Sequence, residues 1–434
     1  MNKNVVFTIV AKNYIGLAQI LEESLKSKNS DTDFFIIVAD DFLNKSHFEK
    51  LPNNVLIGHE ILDISQEKWI DMSFKYDLTE FCTSIKPAVF SYLIEKTDYD
   101  KIIYLDPDIY IYSSLEPIYE MLQKHSIVLT PHIVDIQDQF VGDRSESGLM
   151  STGVFNLGFC GIRRSKTAKK MISWWHERLL ENCYIDSHDS YFTDQKWMDF
   201  LPCYFDSNEL LVSRHLGMNI APWNFFERKI FGAKEEFMVC SRDQKEDQSI
   251  NFPVIFVHYS GYNYAELKKG NVIQNNISNI KDYEDIKLLT DVYAKAIYDR
   301  KETFDKYINQ KYSYGTFENG VAIKGFHRRI YRSLINKGRK YENPYAVDKN
   351  SLYKEFHSKG MIKQTNVNLD KATKENLGGV NSKLKIFNNI TRIVYKLIGF
   401  ERYILLIRLM RPFSRFESQI HLITSEFDEE NIKY

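Results

Sequence analysis

Three segments at the start of the chain leave little freedom in the choice of fold. Val5 to Ala11 is a continuous apolar run of the kind that forms strands buried on both faces. Leu17, Ile20, Leu21 and Leu25 follow at helical spacing, and Phe34 to Ala39 is a second buried run. Strand, helix, strand in this form is a βαβ unit, which joins parallel neighbours by a crossover. The alternation continues: the spacing predicts a helix over Lys86 to Ile94, with Ala88, Val89, Tyr92 and Leu93 on one side, and a strand over Lys101 to Leu105. Further strands are expected at Ile127 to Thr130, Val154 to Ile162 and Val254 to His258, with a helix from Lys166 to Leu180. The fold class is therefore α/β, a Rossmann-like, mostly parallel sheet with helices on both faces. Ligands of such sheets sit outside the carboxyl ends of the strands. The residues after Ala11, Ala39, Leu105 and Val257 are thus expected to converge on one crevice.

Length and composition bound what surrounds that sheet. The 434 residues suffice for one large α/β domain with an appendage. A hydrophobic share of 44% with 26% charged residues excludes wholesale disorder, and 57 Lys+Arg against 58 Asp+Glu argue against a surface built for nucleic acid. Cys82, Cys160, Cys183, Cys203 and Cys240 are odd in number and form no C-x-x-C pair, so they read as buried free thiols of a reducing cytosol. No uncharged apolar stretch approaches the roughly 18 residues that a spanning helix needs. The expected location is cytoplasmic, with membrane contact at most peripheral.

After about residue 265 the pattern turns helical. The organisation expected is a catalytic domain over 1–265, a helical extension over 266–345, a polar linker over 346–382 and a basic amphipathic C-terminal segment over 383–434. Lys324 to Lys340 holds seven Lys/Arg and no acid, and Lys383 to Ile423 holds eight against two Glu, with Ile390, Ile393, Val394, Leu397 and Ile398 at helical spacing. Such a tail suits peripheral docking on an anionic membrane through 383–423, or else covers the catalytic domain or pairs two chains as a homodimer.

The sharpest chemical feature is Tyr104-Leu105-Asp106-Pro107-Asp108-Ile109-Tyr110, two carboxylates where a buried strand emerges. Charges there are tolerated only if they cap a turn or hold an ion. Paired oxygens suit Mg²⁺ or Mn²⁺, either of which neutralises a diphosphate. His258, in Phe256-Val257-His258-Tyr259-Ser260-Gly261, ends another strand; it is either a hydrogen-bonded structural residue or a third ligand, and a nitrogen ligand tilts the choice toward Mn²⁺. Phe192-Thr193-Asp194-Gln195-Lys196-Trp197 offers an acid and an amide before an amphipathic helix, where Thr193 or Asp194 also makes a good N-cap. In Thr152-Gly153-Val154-Phe155-Asn156-Leu157-Gly158, glycines flank an Asn, which fits close approach to a ligand or a plain tight turn. Lys86 is a phosphate partner or a solvated surface lysine, and Asp40 with Asp41 contacts a ribose or caps the second strand's turn.

Taken in order, these segments resemble the nucleotide-sugar glycosyltransferases of the GT-A fold, and within them the retaining galactosyl- and glucosyltransferase family that includes glycogenin and bacterial lipopolysaccharide transferases. The resemblance covers roughly Val5 to Tyr262. It implies that Asp106, Asp108 and His258 hold Mn²⁺ (or Mg²⁺), which bridges the two phosphates of a nucleotide diphosphate sugar, the donor substrate. It implies that Thr8, Tyr14 and Asp40 line the nucleoside pocket, that Lys86 and Asn156 reach the donor sugar or phosphates, and that Asp194 and Gln195 lie beside the reacting carbon. The activity implied is transfer of a hexose from a UDP-sugar, with retention, to a hydroxyl of a glycan, lipid-linked glycan or protein acceptor. The chain departs from the family where Lys-Pro-Trp usually follows His-x-x-Gly: here Tyr262-Asn263-Tyr264 follows, with Lys268 or Lys269 as substitutes for the diphosphate lysine. The competing readings are an inverting GT-A transferase with Asp194 as base, a nucleotidyltransferase, and a sugar-binding scaffold without catalysis. A nucleotidyltransferase usually carries a glycine-rich, basic loop after its first strand, and Ala11-Lys12-Asn13-Tyr14 is no such loop.

Overall fold

The computed structural model describes residues 3–42, 51–233, 236–243, 250–275, 277, 280–362 and 379–424. The chain forms two compact units, one comprising Met1–Gln66 with Leu78–Ser313 and the other Glu67–Asp77 with Tyr314–Tyr434.

The first unit is built on seven strands: β1 (Lys3–Val10), β2 (Asp33–Val38), β3 (Val55–Ile57), β4 (Tyr99–Leu105), then, after a short β5 (Ile109–Ile111) outside this sheet, β6 (Ile127–Leu129), β7 (Phe159–Arg163) and β8 (Leu210–Val212). Their order is β8-β6-β7-β4-β1-β2-β3. All neighbouring pairs are parallel except those made by β7, which runs against both β4 and β6. The expected mostly parallel α/β sheet is thus observed. The central strands are buried on both faces, which is why they read as unbroken apolar runs: Val5, Val6, Phe7, Ile102, Ile103 and Leu105 are wholly buried.

Helices cover both faces. Helix α1 (Ile15–Lys28) supplies Ala18, Leu21 and Leu25 to a core shared with Val6, Val10, Ile36 and Ile103. Opposite, α2 (Lys86–Lys96) presents Phe90 edge-on to Phe7 at 4.9 Å. The same first-unit core takes in Ile118 and Leu122 of α3 (Glu116–Lys124), and Trp175 of α4 (Lys166–Asn182) lies 6.5 Å from Phe90. Ser165 caps α4 by accepting from Ala168 N–H.

Two strands expected in the main sheet are arranged differently. Of the predicted run Val154 to Ile162, only its second half joins the ladder, because residues up to Gly158 turn in from the sheet's edge; Asp106 N–H donates to Gly158 O at 2.8 Å. The strand before His258, β9 (Phe256–His258), pairs antiparallel with β5 rather than with the sheet. A three-residue strand has no periodicity to reveal its partner, so neither β5 nor this pairing was legible.

After β9 the first unit continues through α5 (Lys287–Asp299) and α6 (Lys301–Ile308) to Ser313. In the second unit, α7 (Gly325–Asn336) and α8 (Leu352–Ser358) close a core of Phe74, Phe317, Ile330, Tyr331, Leu334, Leu352, Phe356 and Ile420. The basic stretch Lys324 to Lys340 is largely consumed there. Arg328 is buried and donates to the carbonyls of Ser73, Phe74, Tyr76 and Tyr314, while Arg332 pairs with Glu417 at 3.2 Å. Helices α9 (Val380–Ile398) and α10 (Phe400–Met410) follow, with no buried residue in either. No disulfide joins any two of the five cysteines; Cys160, Cys183 and Cys240 are buried as expected, whereas Cys203 is exposed. Among the described residues, no helix is long and apolar enough to cross a membrane.

Candidate active site

The carboxyl end of β4 delivers the two aspartates. Asp106 leaves the strand and its carbonyl accepts from Ile109 N–H at 3.1 Å, a tight turn that brings Asp108 back beside it. The β5–β9 ladder then fixes the histidine: His258 is the register partner of Ile109, and Tyr259 N–H donates to Asp108 O at 2.8 Å. His258 Nε2 lies 3.5 Å from Asp106 Oδ2 and 3.1 Å from Asp108 Oδ1. The three side chains, two carboxylates and one imidazole from segments 150 residues apart in sequence, bring one ligand atom each within 4.8 Å of one another. This donor set fits a divalent cation of the Mn²⁺ class.

Electrostatics agree with a site built for charge. Burial pushes the Asp106 carboxyl up, and neighbouring Asp108 adds to the rise. Burial alone would lower His258, but the Asp108 and Asp106 carboxylates outweigh it and hold its proton affinity above the ordinary value. Two phenols lean on the aspartates: Tyr104 donates to Asp106 Oδ1 at 2.5 Å and Tyr264 to Asp108 Oδ2 at 3.4 Å.

The reversed strand β7 brings the glycine-flanked Asn156 segment to the same edge. Asn156 Oδ1 is 3.3 Å from His258 Nδ1, and Gly158 lies against the imidazole so closely that an added Cβ would be 2.5 Å from His258 Cε1 and 2.6 Å from Nδ1. Gly158→Ala is therefore expected to displace the imidazole and weaken Mn²⁺ binding at least tenfold while the fold survives. Calorimetric titration of Mn²⁺ checks this; an unchanged affinity would show that the imidazole is not held here.

The remaining sequence-predicted residues fall into two groups. Lys86, read by default as a surface lysine, is buried at the start of α2; its Nζ donates to Asp194 Oδ2 at 2.5 Å and to Leu157 O at 2.9 Å, and stands 3.9 Å over the Tyr104 ring. Thr193, held at φ +46°, donates to Asp194 Oδ1, and Trp175 Nε1 donates to Asp194 O. Gln195 is buried too, its amide bridging Thr152 O and Leu157 N–H. The short helix that follows, Lys196–Phe200, is capped by Gln195 rather than by Thr193 or Asp194, and without a side-chain bond. At the end of β2, Asp40 is fully buried: it accepts from the Asp41 and Ser313 N–H groups and lies 3.6 Å from Lys12 Nζ, while burial raises its proton affinity. Thr8 Oγ1 is buried without a hydrogen-bond partner, and Tyr14 packs edge-on against Tyr264. Lys268 pairs with Asp305 and Lys269 with Glu266.

Sequence reasoning missed three neighbours of this cluster. Asn219, at φ +54° and fully buried, donates to Thr130 Oγ1 and to Asn156 Oδ1. His132 meets Asn156 Nδ2 at 3.4 Å, with burial lowering its proton affinity to about 4. Trp223 stands perpendicular to His258 at 5.3 Å and edge-on to His132 at 5.3 Å. A lone Asn or His in an irregular segment carries no pattern, and nothing in Ala221-Pro222-Trp223-Asn224 assigns a role by itself.

Residues 5–197 match the sequence profile of Glycosyl transferase family 8. The matched residues take in Asp106, Asp108, Asn156, Asp194 and Gln195, so the match supports a glycosyltransferase reading of the first unit. Among individual proteins, the chain is 24% identical over 263 residues to the uncharacterized protein YfnF of Bacillus subtilis (strain 168), covering 60% of this chain and 82% of that one. Among solved structures it is similar to the galactosyltransferase LgtC in complex with donor and acceptor sugar analogs, at 20% identity and a TM-score of 0.37, covering 59% of this chain and 87% of that one. It is also similar to mouse xyloside xylosyltransferase 1, at 11% identity and a TM-score of 0.30, covering 51% and 88%.

Proposed function

We propose that the chain transfers a hexose from a UDP-sugar to a hydroxyl of a glycan acceptor with retention at the anomeric carbon, and that Asp106, Asp108 and His258 hold the Mn²⁺ this requires. The observation that carries the reading is the convergence of these three ligand atoms within 4.8 Å at the carboxyl end of β4. When bound there, the cation would offset the negative charge that grows on the departing nucleotide diphosphate. Tyr104 and Tyr264 orient the carboxylates from the protein side.

The chain's own residues would do the rest. Thr8, with its unpartnered hydroxyl, and Tyr14 border the nucleoside side, while Asp40, bound up with Lys12 and Ser313, shapes that wall rather than offering a free carboxylate. Asp194 and Gln195 would shield the oxocarbenium-like carbon on the face away from the leaving group. Lys86 and Thr193 set the Asp194 carboxylate in advance, so little reorganisation is needed as positive charge develops. The acceptor hydroxyl enters on the leaving-group side and gives its proton to the departing phosphate. Incubation with a panel of nucleotide sugars plus Mn²⁺, followed by NMR of the product anomer, tests the reading. A retained hexoside from a UDP-sugar is expected; an inverted anomer, or transfer of the nucleotide itself, overturns it.

The acceptor is proposed to be presented at an anionic membrane surface. Helices α9 and α10 bury none of their residues and expose Ile386, Ile390, Ile393, Leu397, Phe400 and Leu405 by half or more. Over 380–411 they carry Lys383, Lys385, Arg392, Lys396, Arg402, Arg408 and Arg411 against Glu401 alone. Apolar residues interleaved with one sign of charge match a bilayer of anionic lipid, at roughly 1 kcal/mol per cation near the surface. The full chain is expected to sediment with phosphatidylserine-containing liposomes and to be released by high salt. Pairing of two chains without lipid binding would favour a dimer contact instead.

A further inference from the structure

Asn156 stands between two imidazoles, and its amide dictates where each keeps its proton. The backbone N–H of Gly158 can only donate, so the side-chain atom it meets at 3.1 Å is the acceptor Oδ1. Asn219 Nδ2 donates to the same oxygen at 3.1 Å. His258 Nδ1 lies 3.3 Å from that Oδ1, and an acceptor there requires the ring nitrogen to carry hydrogen. On the other side, Asn156 Nδ2 lies 3.4 Å from His132 Nε2, and a donor there requires a lone pair on His132. Nε2, the nitrogen nearest both aspartates, is then the one whose proton a cation would replace.

We propose that Asn156 is a positioning residue: by accepting from His258 Nδ1–H it keeps Nε2 aimed at Asp106 and Asp108, where a metal ion would take the place of its proton, and His132 in turn fixes the Asn156 amide. The proposal rests on the metal reading of the cluster. It assigns Asn156 to the support of a ligand instead of to direct contact with the donor sugar, and gives buried His132 a purpose. The arrangement is rigid from several sides. Asn219 is itself tied to Thr130, Asn224 donates to the carbonyls of His132 and Asn219, and the Trp223 ring stands across both imidazoles. An amide turned by 180° would set its NH₂ against Gly158 N–H and His258 Nδ1, and would leave His258 to protonate Nε2, blocking the ligand position. Ligating imidazoles oriented in this way commonly lose 10- to 100-fold in metal affinity, by order of magnitude, when the orienting group is removed.

The test has a readout independent of catalysis. Long-range ¹H–¹⁵N spectra of the full chain should show His132 as the Nδ1–H tautomer without metal, at a pH where it is neutral, and His258 with its proton on Nδ1 once diamagnetic Mg²⁺ is bound; His132 as Nε2–H, or bound His258 with Nδ1 bare, overturns the proposal. Mn²⁺ titrations followed by electron paramagnetic resonance should show Asn156→Ala binding about 10- to 100-fold more weakly than wild type. His132→Phe, which leaves every metal ligand intact, should weaken binding several-fold, and folded variants that both bind within twofold of wild type overturn the proposal. Should Asn156→Ala fail to fold, the wild-type spectrum and His132→Phe still decide. Wild-type chain that binds no Mn²⁺ at all removes the metal reading, while the spectrum judges the Asn156 tautomer assignment separately.

Discussion

Asp108→Asn should lower Mn²⁺-dependent turnover of the nucleotide sugar by about 10³-fold or more, equivalent to about 4 kcal/mol at the transition state. The amide keeps the shape of the turn but removes one of the two negative ligands, 3.1 Å from His258 Nε2. The fold should not suffer. Burial and the neighbouring Asp108 push the Asp106 carboxyl up, so neutralising Asp108 relieves that repulsion but also removes its hold on the His258 proton. The two effects oppose, so melting of the metal-free variant is expected to stay close to that of wild type, while a rise in Tm with Mn²⁺ and donor is expected for the wild type alone. Wild-type turnover in the variant would end the metal assignment, and a collapsed melt would mark Asp108 as structural.

Lys86→Met is the second large effect, and it falls on stability. Lys86 and Asp194 form an ion pair almost wholly removed from water, with side-chain exposures of 1% and 3%. Deleting the cation strands a buried carboxylate, a change that costs roughly 3–5 kcal/mol because the desolvation of the remaining charge is uncompensated. For a unit of this size that is a Tm loss of roughly 5–8 °C. Lys86→Met combined with Asp194→Leu should recover most of it, since a well-packed apolar pair carries no such penalty. Scanning calorimetry of the single and double variants checks both statements. Equal melts for wild type and Lys86→Met would mean that Asp194 has water or another partner in solution.

How far the sequence discloses this molecule depends on how local each signal is. Strands β1, β2 and β4 were readable because burial on both faces writes an unbroken apolar run, and Asp106 and Asp108 were readable because charge after such a run demands a reason. The direction of β7 was not readable, since Phe159–Arg163 is apolar whichever way it runs. The setting of His258 followed from the family resemblance and not from any local pattern: its place beside the aspartates comes from the three-residue ladder between β5 and β9, next to Gly217, whose backbone carbonyl accepts from Ile255 and Phe256. Lys86 sits in the first turn of a helix, a position usually solvated; only the fold reveals that this helix begins facing Asp194. His132 and Asn219 are single polar residues in irregular chain, and the left-handed backbone at Asn219 has no signature beyond the residue type itself.

The reversal of β7 has a consequence for how such a chain can diversify. Because β6 leaves the sheet at the edge where β7 enters it, everything between them starts and finishes beside the aspartates. The two ends are clasped together: Asn156 N–H reaches Thr130 O at 3.0 Å, His132 N–H reaches Val154 O at 2.9 Å, and Pro131 bridges Phe155. Residues 133–153 therefore hang from a closed stem. Lengthening, shortening or exchanging them would change the surroundings of the aspartates while leaving the strand order intact.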